Sequence, residues 1–192
     1  MHFFWSDERH VPPADADSNY RMANETLLSK VPAPAENVHR IRGEEPDPLS
    51  AAQEYERELQ TFFHLRAGRL PRFDLMLLGI GSDGHTASLF PDTLALLEQE
   101  HLVVANWVEK LKTYRLTLTL PVLNNAATVM FLVSGSEKSD ILGAVLEDEE
   151  SENLPAKLVQ PRDGAVVWLV DRDAAASLLS TTQSSSAPEN RL

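Results

Sequence analysis

The 192-residue chain is 43% hydrophobic and 24% charged, the balance of an ordinary soluble globular protein, and is most simply one domain with room for a sizeable core. It has no cysteine, which excludes disulfides, thiolate metal sites and cysteine nucleophiles and suits a reducing cytoplasm. A formal net charge of -12 repels nucleic acid and anionic lipid, so an anionic substrate needs a local cluster of cations.

Met1 to Asp7 carries neither a basic leader nor a long apolar region and is not read as a signal peptide. No apolar run approaches the ~20 residues that span a bilayer. Met1 to Ser6 reads as a short buried strand, followed by the charged turn Asp7-Glu8-Arg9-His10. Asp7 and Glu8 point opposite ways on an extended chain, which argues against a shared site. Ser18-Asn19 predicts a capped helix to about Lys30, with Tyr20, Ala23, Leu27 and Val31 on one face. Val38 to Ile41 reads as a short strand. Asp47-Pro48 predicts an N-cap with proline at the first helical position; Ala52, Tyr55, Leu59, Phe62 and Phe63 then recur at helical spacing up to Gly68.

Phe73 to Leu78 predicts a buried strand. It feeds the run Gly79-Ile80-Gly81-Ser82-Asp83-Gly84-His85-Thr86-Ala87-Ser88-Leu89-Phe90-Pro91. A helix is expected over Leu94 to Glu100, strands over Leu102 to Val108 and Arg115 to Leu120, and a helical turn over Pro121 to Ala126. Thr128 to Val133 reads as a buried strand. Ser134-Gly135-Ser136 then opens a helix to about Leu146 with Lys138 in its first turn. A last strand, Val166 to Val170, and a last helix, Asp171 to Leu179, follow. The Ser- and Thr-rich tail 180–192 is expected to be disordered, leaving 1–179 as a single domain. Alternating strands and helices predict an α/β fold with a mainly parallel sheet.

The glycine run carries the chemistry. Its glycines let the backbone bend sharply at the carboxyl end of a strand, where α/β sheets place their sites. His85 can exchange protons near neutral pH, or can merely hydrogen-bond within a loop. Asp83 can orient that imidazole or close an Asx turn. The loop amides, those of Gly81 and Gly84 among them, are candidate oxyanion donors. Arg9, Arg115 and Lys138 are candidate anion ligands, although a single cation taken alone reads first as a solvated surface charge. Lys138 opposes the dipole of the helix it opens unless an anion sits there. No metal-ligand spacing occurs among the histidines, and composition is silent on oligomeric state.

Five segments, taken in order, resemble the 6-phosphogluconolactonase family: Trp5 to Pro12, Ser18 to Met22, the glycine run through Pro91, Tyr114 to Pro121, and Val133 to Lys138. The resemblance covers about residues 3 to 175. It implies a doubly wound fold with helices on both faces, shared with glucosamine-6-phosphate deaminases and ribose-5-phosphate isomerases. It also implies a cytoplasmic enzyme of the oxidative pentose phosphate pathway that needs no metal or cofactor, takes a small sugar phosphate as its partner and opens 6-phospho-D-glucono-1,5-lactone with water. His85 and Asp83 then serve catalysis; Arg9, Gly81, Gly84, Arg115 and Lys138 bind substrate. The alternatives are a glucosamine-6-phosphate type isomerase or deaminase, which carries an acid after the histidine where this chain has Ser88-Leu89-Phe90-Pro91, and a non-catalytic sugar-phosphate binder. The family's upstream Ser-Gly-Gly phosphate loop has no counterpart here, since no Gly-Gly pair occurs. The expectation is therefore a chain N-terminally truncated relative to the family, with weakened phosphate binding and a tendency to self-associate.

Overall fold

A computed structural model describes residues 1–148, 150–151 and 153–178. Among these residues eight strands and four α-helices follow one another, with 3-10 turns between them. In chain order they are β1 (Phe3–Phe4), β2 (Asp7–Arg9), α1 (Asn19–Thr26), β3 (Val38–His39), α2 (Pro48–Phe62), β4 (Met76–Leu78), β5 (Val103–Val108), β6 (Thr113–Leu118), α3 (Leu120–Leu123), β7 (Thr128–Val133), α4 (Ser139–Leu146) and β8 (Ala165–Val170).

The strands form three sheets. Two are parallel, β1-β3 and β4-β7-β8; the third, β2-β6-β5, is antiparallel. The α/β class and the predominance of parallel sheets hold. Met76, Leu78, Val129, Phe131 and Val133 from one face of β4-β7-β8 join Leu142 and Val145 of α4 in the core. On the other face Leu77, Leu132 and Leu169 stay about half exposed.

Local chemistry explains most elements. Asp47 caps α2 through the amides of Leu49 and Ser50, Pro48 opens it, and Ala51, Ala52, Tyr55 and Leu59 are its buried face. α2 lies against β5 and β6. Its buried Tyr55 hydroxyl accepts from the Trp5 amide at 2.9 Å and donates to the Trp5 carbonyl at 3.1 Å. That ties β1 to α2.

Several boundaries differ from expectation. Asp7 to Arg9 is not a turn but a strand, because β6 supplies a pairing edge. α1 stops at Thr26, since Leu27 leaves the helical region at φ -131°; Leu28 is buried in its place, and Leu27 and Val31 are exposed. Leu94–Leu97 is a single 3-10 turn. Residues 172–177 form turns rather than a helix. Leu179 and the expected tail lie outside the described residues. No helix among the described residues is long and apolar enough to cross a membrane.

Candidate active site

The glycine run leaves the carboxyl end of β4. Gly79, Gly81 and Gly84 have the spacing of a dinucleotide-binding turn, but the chain continues from Gly84 in turns, and no helix N-terminus is there to receive a pyrophosphate. The turn closes on itself: the Gly81 amide donates to the His85 carbonyl at 2.8 Å, and the Gly84 amide to the Gly81 carbonyl at 3.0 Å. These two amides are therefore spent, which corrects their reading as oxyanion donors. Their glycines matter sterically instead. A Cβ on Gly81 lands 2.0 Å from His85 Nδ1, so the imidazole occupies the space that a side chain at 81 needs. Gly84 sits at φ +78°, and its missing side chain leaves room for Leu154. Ala87, two residues beyond His85, is held in the left-handed region at φ +46°, a strained conformation for alanine.

His85 and Asp83 are in direct contact, Nδ1 to Oδ1, at 2.5 Å. An ionised carboxylate only accepts, so Nδ1 carries the proton and Nε2 presents a lone pair. Nε2 has no protein partner among the described residues. Asp83 also accepts the His85 amide at 3.2 Å, so it closes an Asx turn and orients the ring at once. The ring stacks on Phe90, centroids 4.1 Å apart. Burial pushes the Asp83 carboxyl up, but hydrogen bonds from Lys110 and His85 outweigh it and hold the group down at about 2. It is ionised at neutral pH.

The cations lie on the antiparallel sheet. Arg9 of β2 stands directly opposite Arg115 of β6, with Asn106 of β5 next in the row. Directly opposed like charges are unfavourable, and an anion between them removes the cost. Neither arginine pairs with a carboxylate among the described residues; Arg9 donates to the Asp17 carbonyl. Burial, and then the neighbouring Arg9, lower the Arg115 pKa. Lys138 lies elsewhere, in the 3-10 turn Ser136–Lys138 after β7. Because β7 runs parallel to β4, that turn and the glycine run leave the same end of the sheet. Lys138 makes no recorded contact with His85, Arg9 or Arg115. The Gly135 amide of its turn donates to the Asp171 carboxylate.

Ser88, which sequence reasoning passed over, clamps the two halves together. Its hydroxyl donates to Asp7 Oδ2 at 2.7 Å, its amide to Thr117 Oγ1 at 3.2 Å, and its carbonyl accepts from Asn106 Nδ2 at 3.0 Å. Asp7 shares the face of Arg9, and Thr117 and Asn106 share that of Arg115, so the His85 loop is fastened to the arginine-bearing face. The signal was there: Asn106 is a polar residue inside an apolar strand. Glu8 points the other way, fully buried. It accepts from the amides of Arg9, Asn19 and Tyr20 and from the Ser18 hydroxyl. A buried carboxylate thus sits at the α1 N-terminus, where the helix dipole favours it. Asp7 and Glu8 serve separate sites, as their alternation requires.

A hydrogen-bonded His–Asp pair at the end of a parallel strand, clamped to a sheet face with opposed arginines, defines an α/β site suited to acid–base chemistry on a small anion. The chain belongs to the glucosamine-6-phosphate isomerases/6-phosphogluconolactonase family, whose model matches residues 1–168. It is 44% identical over 179 residues to the 6-phosphogluconolactonase of Synechocystis sp., covering 93% of this chain and 73% of that one. The human 6-phosphogluconolactonase is 45% identical over 174 residues, with 90% and 66% covered. Among solved structures, the 6-phosphogluconolactonase of Trypanosoma brucei superposes with a TM-score of 0.82 at 31% identity, over 93% of this chain and 74% of that one. A monomeric glucosamine-6-phosphate deaminase, 21% identical with a TM-score of 0.73, shares the fold.

Proposed function

We propose that this chain is a 6-phosphogluconolactonase: it adds water to 6-phospho-D-glucono-1,5-lactone and releases 6-phospho-D-gluconate. The observation that carries this reading is the His85–Asp83 pair. Asp83 fixes the tautomer that leaves Nε2 as a base. A lactone is an activated ester, so no covalent intermediate is needed. Water attacks C1 as Nε2 takes its proton. The carbon–ring oxygen bond then breaks, and His85 returns the proton to the departing ring oxygen. Arg9 and Arg115 hold the phosphate between them, and Lys138 is a further cation for it in this reading. Tethering the phosphate places C1 at His85, an orientation effect. Gly81 and Gly84 shape the bend rather than touch the oxyanion. The deaminase reading is not favoured: the segment from Thr86 to Pro91 holds no acid, and Ser88 within it is committed to the sheet.

Residues 1–179 act as one domain in this reading. Cytoplasmic residence suits both the pathway and a chain without cysteine.

The test is His85→Ala, assayed on the lactone above its spontaneous hydrolysis, with ammonia release from glucosamine 6-phosphate as the second channel. Lactone turnover is expected to fall by about 10²–10⁴-fold with the circular dichroism unchanged. Parent-like turnover in the variant, or ammonia release by the parent, defeats the reading.

A further inference from the structure

Asp83 has two carboxylate oxygens, and each holds a different partner. Oδ1 takes His85 Nδ1, while Oδ2 takes the ammonium of Lys110. Lys110 comes from the 3-10 turn Glu109–Leu111 that joins β5 to β6, 27 residues further along the chain. Its Nζ also lies 4.8 Å from the centroid of Phe90, the ring that stacks on His85. Lysine, carboxylate, imidazole and phenyl ring thus close a circuit of contacts around the base. We infer that Lys110 is a positioning residue for His85: by holding the far oxygen of Asp83 it sets how tightly the imidazole keeps its proton.

The argument rests on charge and geometry. A lone carboxylate against an imidazole stabilises the imidazolium and raises its pKa. A general base must be neutral at working pH, so too strong a carboxylate is harmful. A cation on the opposite oxygen offsets that pull. It also anchors the carboxylate in the plane that serves Nδ1. Among the other charges near this spot, two carboxylates are engaged elsewhere. Glu109 binds Lys112 and Trp107 Nε1. Glu98 binds the amides of Glu100 and His101. Asp92 borders the cleft of about 860 Å³ that opens beside Asp83 and Lys110. In the segment packed on Gly84, Lys157 donates to the Asp148 carbonyl. Arg9 and Arg115 are cations on the sheet face beneath the loop. Lys110 is the cation placed on the His85 partner itself. Its side chain is half exposed, so replacing it leaves the core intact.

The inference deepens the reading of His85 as the base and is tested by a readout that needs no turnover. The His85 imidazole is titrated by NMR, assigned through its absence in His85→Gln, in the parent, Lys110→Met and Lys110→Arg. In parallel, kcat/KM on the lactone is followed against pH. Lys110→Met is expected to raise the His85 midpoint by about 0.5–1 pH unit, and the acid limb of kcat/KM moves up with it. Lys110→Arg is expected to restore the parent midpoint. An unmoved midpoint in Lys110→Met, with activity lost equally at every pH, overturns the inference and leaves Lys110 a structural contact. A shifted midpoint in a chain that turns over no lactone in any variant supports the role of Lys110 and defeats the lactonase reading instead.

Discussion

At the scale of single residues the site depends on what Gly81 lacks. Its backbone is not in the left-handed region, so alanine is tolerated conformationally; the conflict is with the imidazole, 2.0 Å from the added Cβ. Gly81→Ala is expected to push His85 off Asp83 and cut kcat/KM on the lactone by about 10²-fold, the usual cost of misplacing a reacting group by an ångström. Steady-state kinetics beside a thermal melt checks this; parent-like kcat/KM in a folded variant shows that the ring has another seat. The sequence placed Asp83 and His85 two apart in a glycine bend and left two roles open for the acid. The structure gives it both. What the sequence could not show is which amides the bend consumes, because that depends on how residues 79–85 close on one another.

At the scale of elements, β2 is the instructive case. Asp-Glu-Arg has no apolar alternation and reads as a charged turn, yet it is a strand because β6 offers it an edge. Glu8 is then driven inward and becomes the N-terminal anchor of α1. Glu8→Gln keeps the shape but replaces one acceptor oxygen with a donor facing amide donors. It is expected to cost about 2–4 kcal/mol in urea unfolding, since buried amides of α1 lose a charged acceptor. A change below about 0.5 kcal/mol would show that water takes over the cap. By contrast α2 was legible almost to the residue. Asp47, Pro48 and the apolar spacing are local signals, and nothing in the tertiary structure opposes them. α1 was over-read by one turn because the sequence does not show that Leu28, not Leu27, finds the core.

At the scale of the whole molecule, the acidic balance sets the pH response. Arg40 holds Glu44 down at about 2 by a hydrogen bond. The amides of His101 and Glu100 hold Glu98 at about 2, and Lys110 with His85 does the same for Asp83 against the pull of burial. A carboxylate whose folded pKa lies below its unfolded one adds stability above the unfolded value and loses it as pH falls through the folded value. The melting temperature is therefore expected to be level from neutral pH to about 5 and to fall steadily between about 4.5 and 2. A scanning calorimetry series across that range checks it, and a flat profile down to pH 2 contradicts the three depressed carboxylates.

The sequence by itself determined the family, the α/β class, the capped helix α2, and the His–Asp pair at the end of a strand, because each is written in local spacing or in a contiguous motif. Only the tertiary structure decided that Arg9 faces Arg115 across two strands, that Ser88 fastens the glycine run to that sheet, and that Lys110 shares Asp83 with His85. Those contacts join residues up to 106 positions apart. They are fixed by strand register and loop closure, which depend on the packing of the whole chain and leave no periodic trace in any one segment of it.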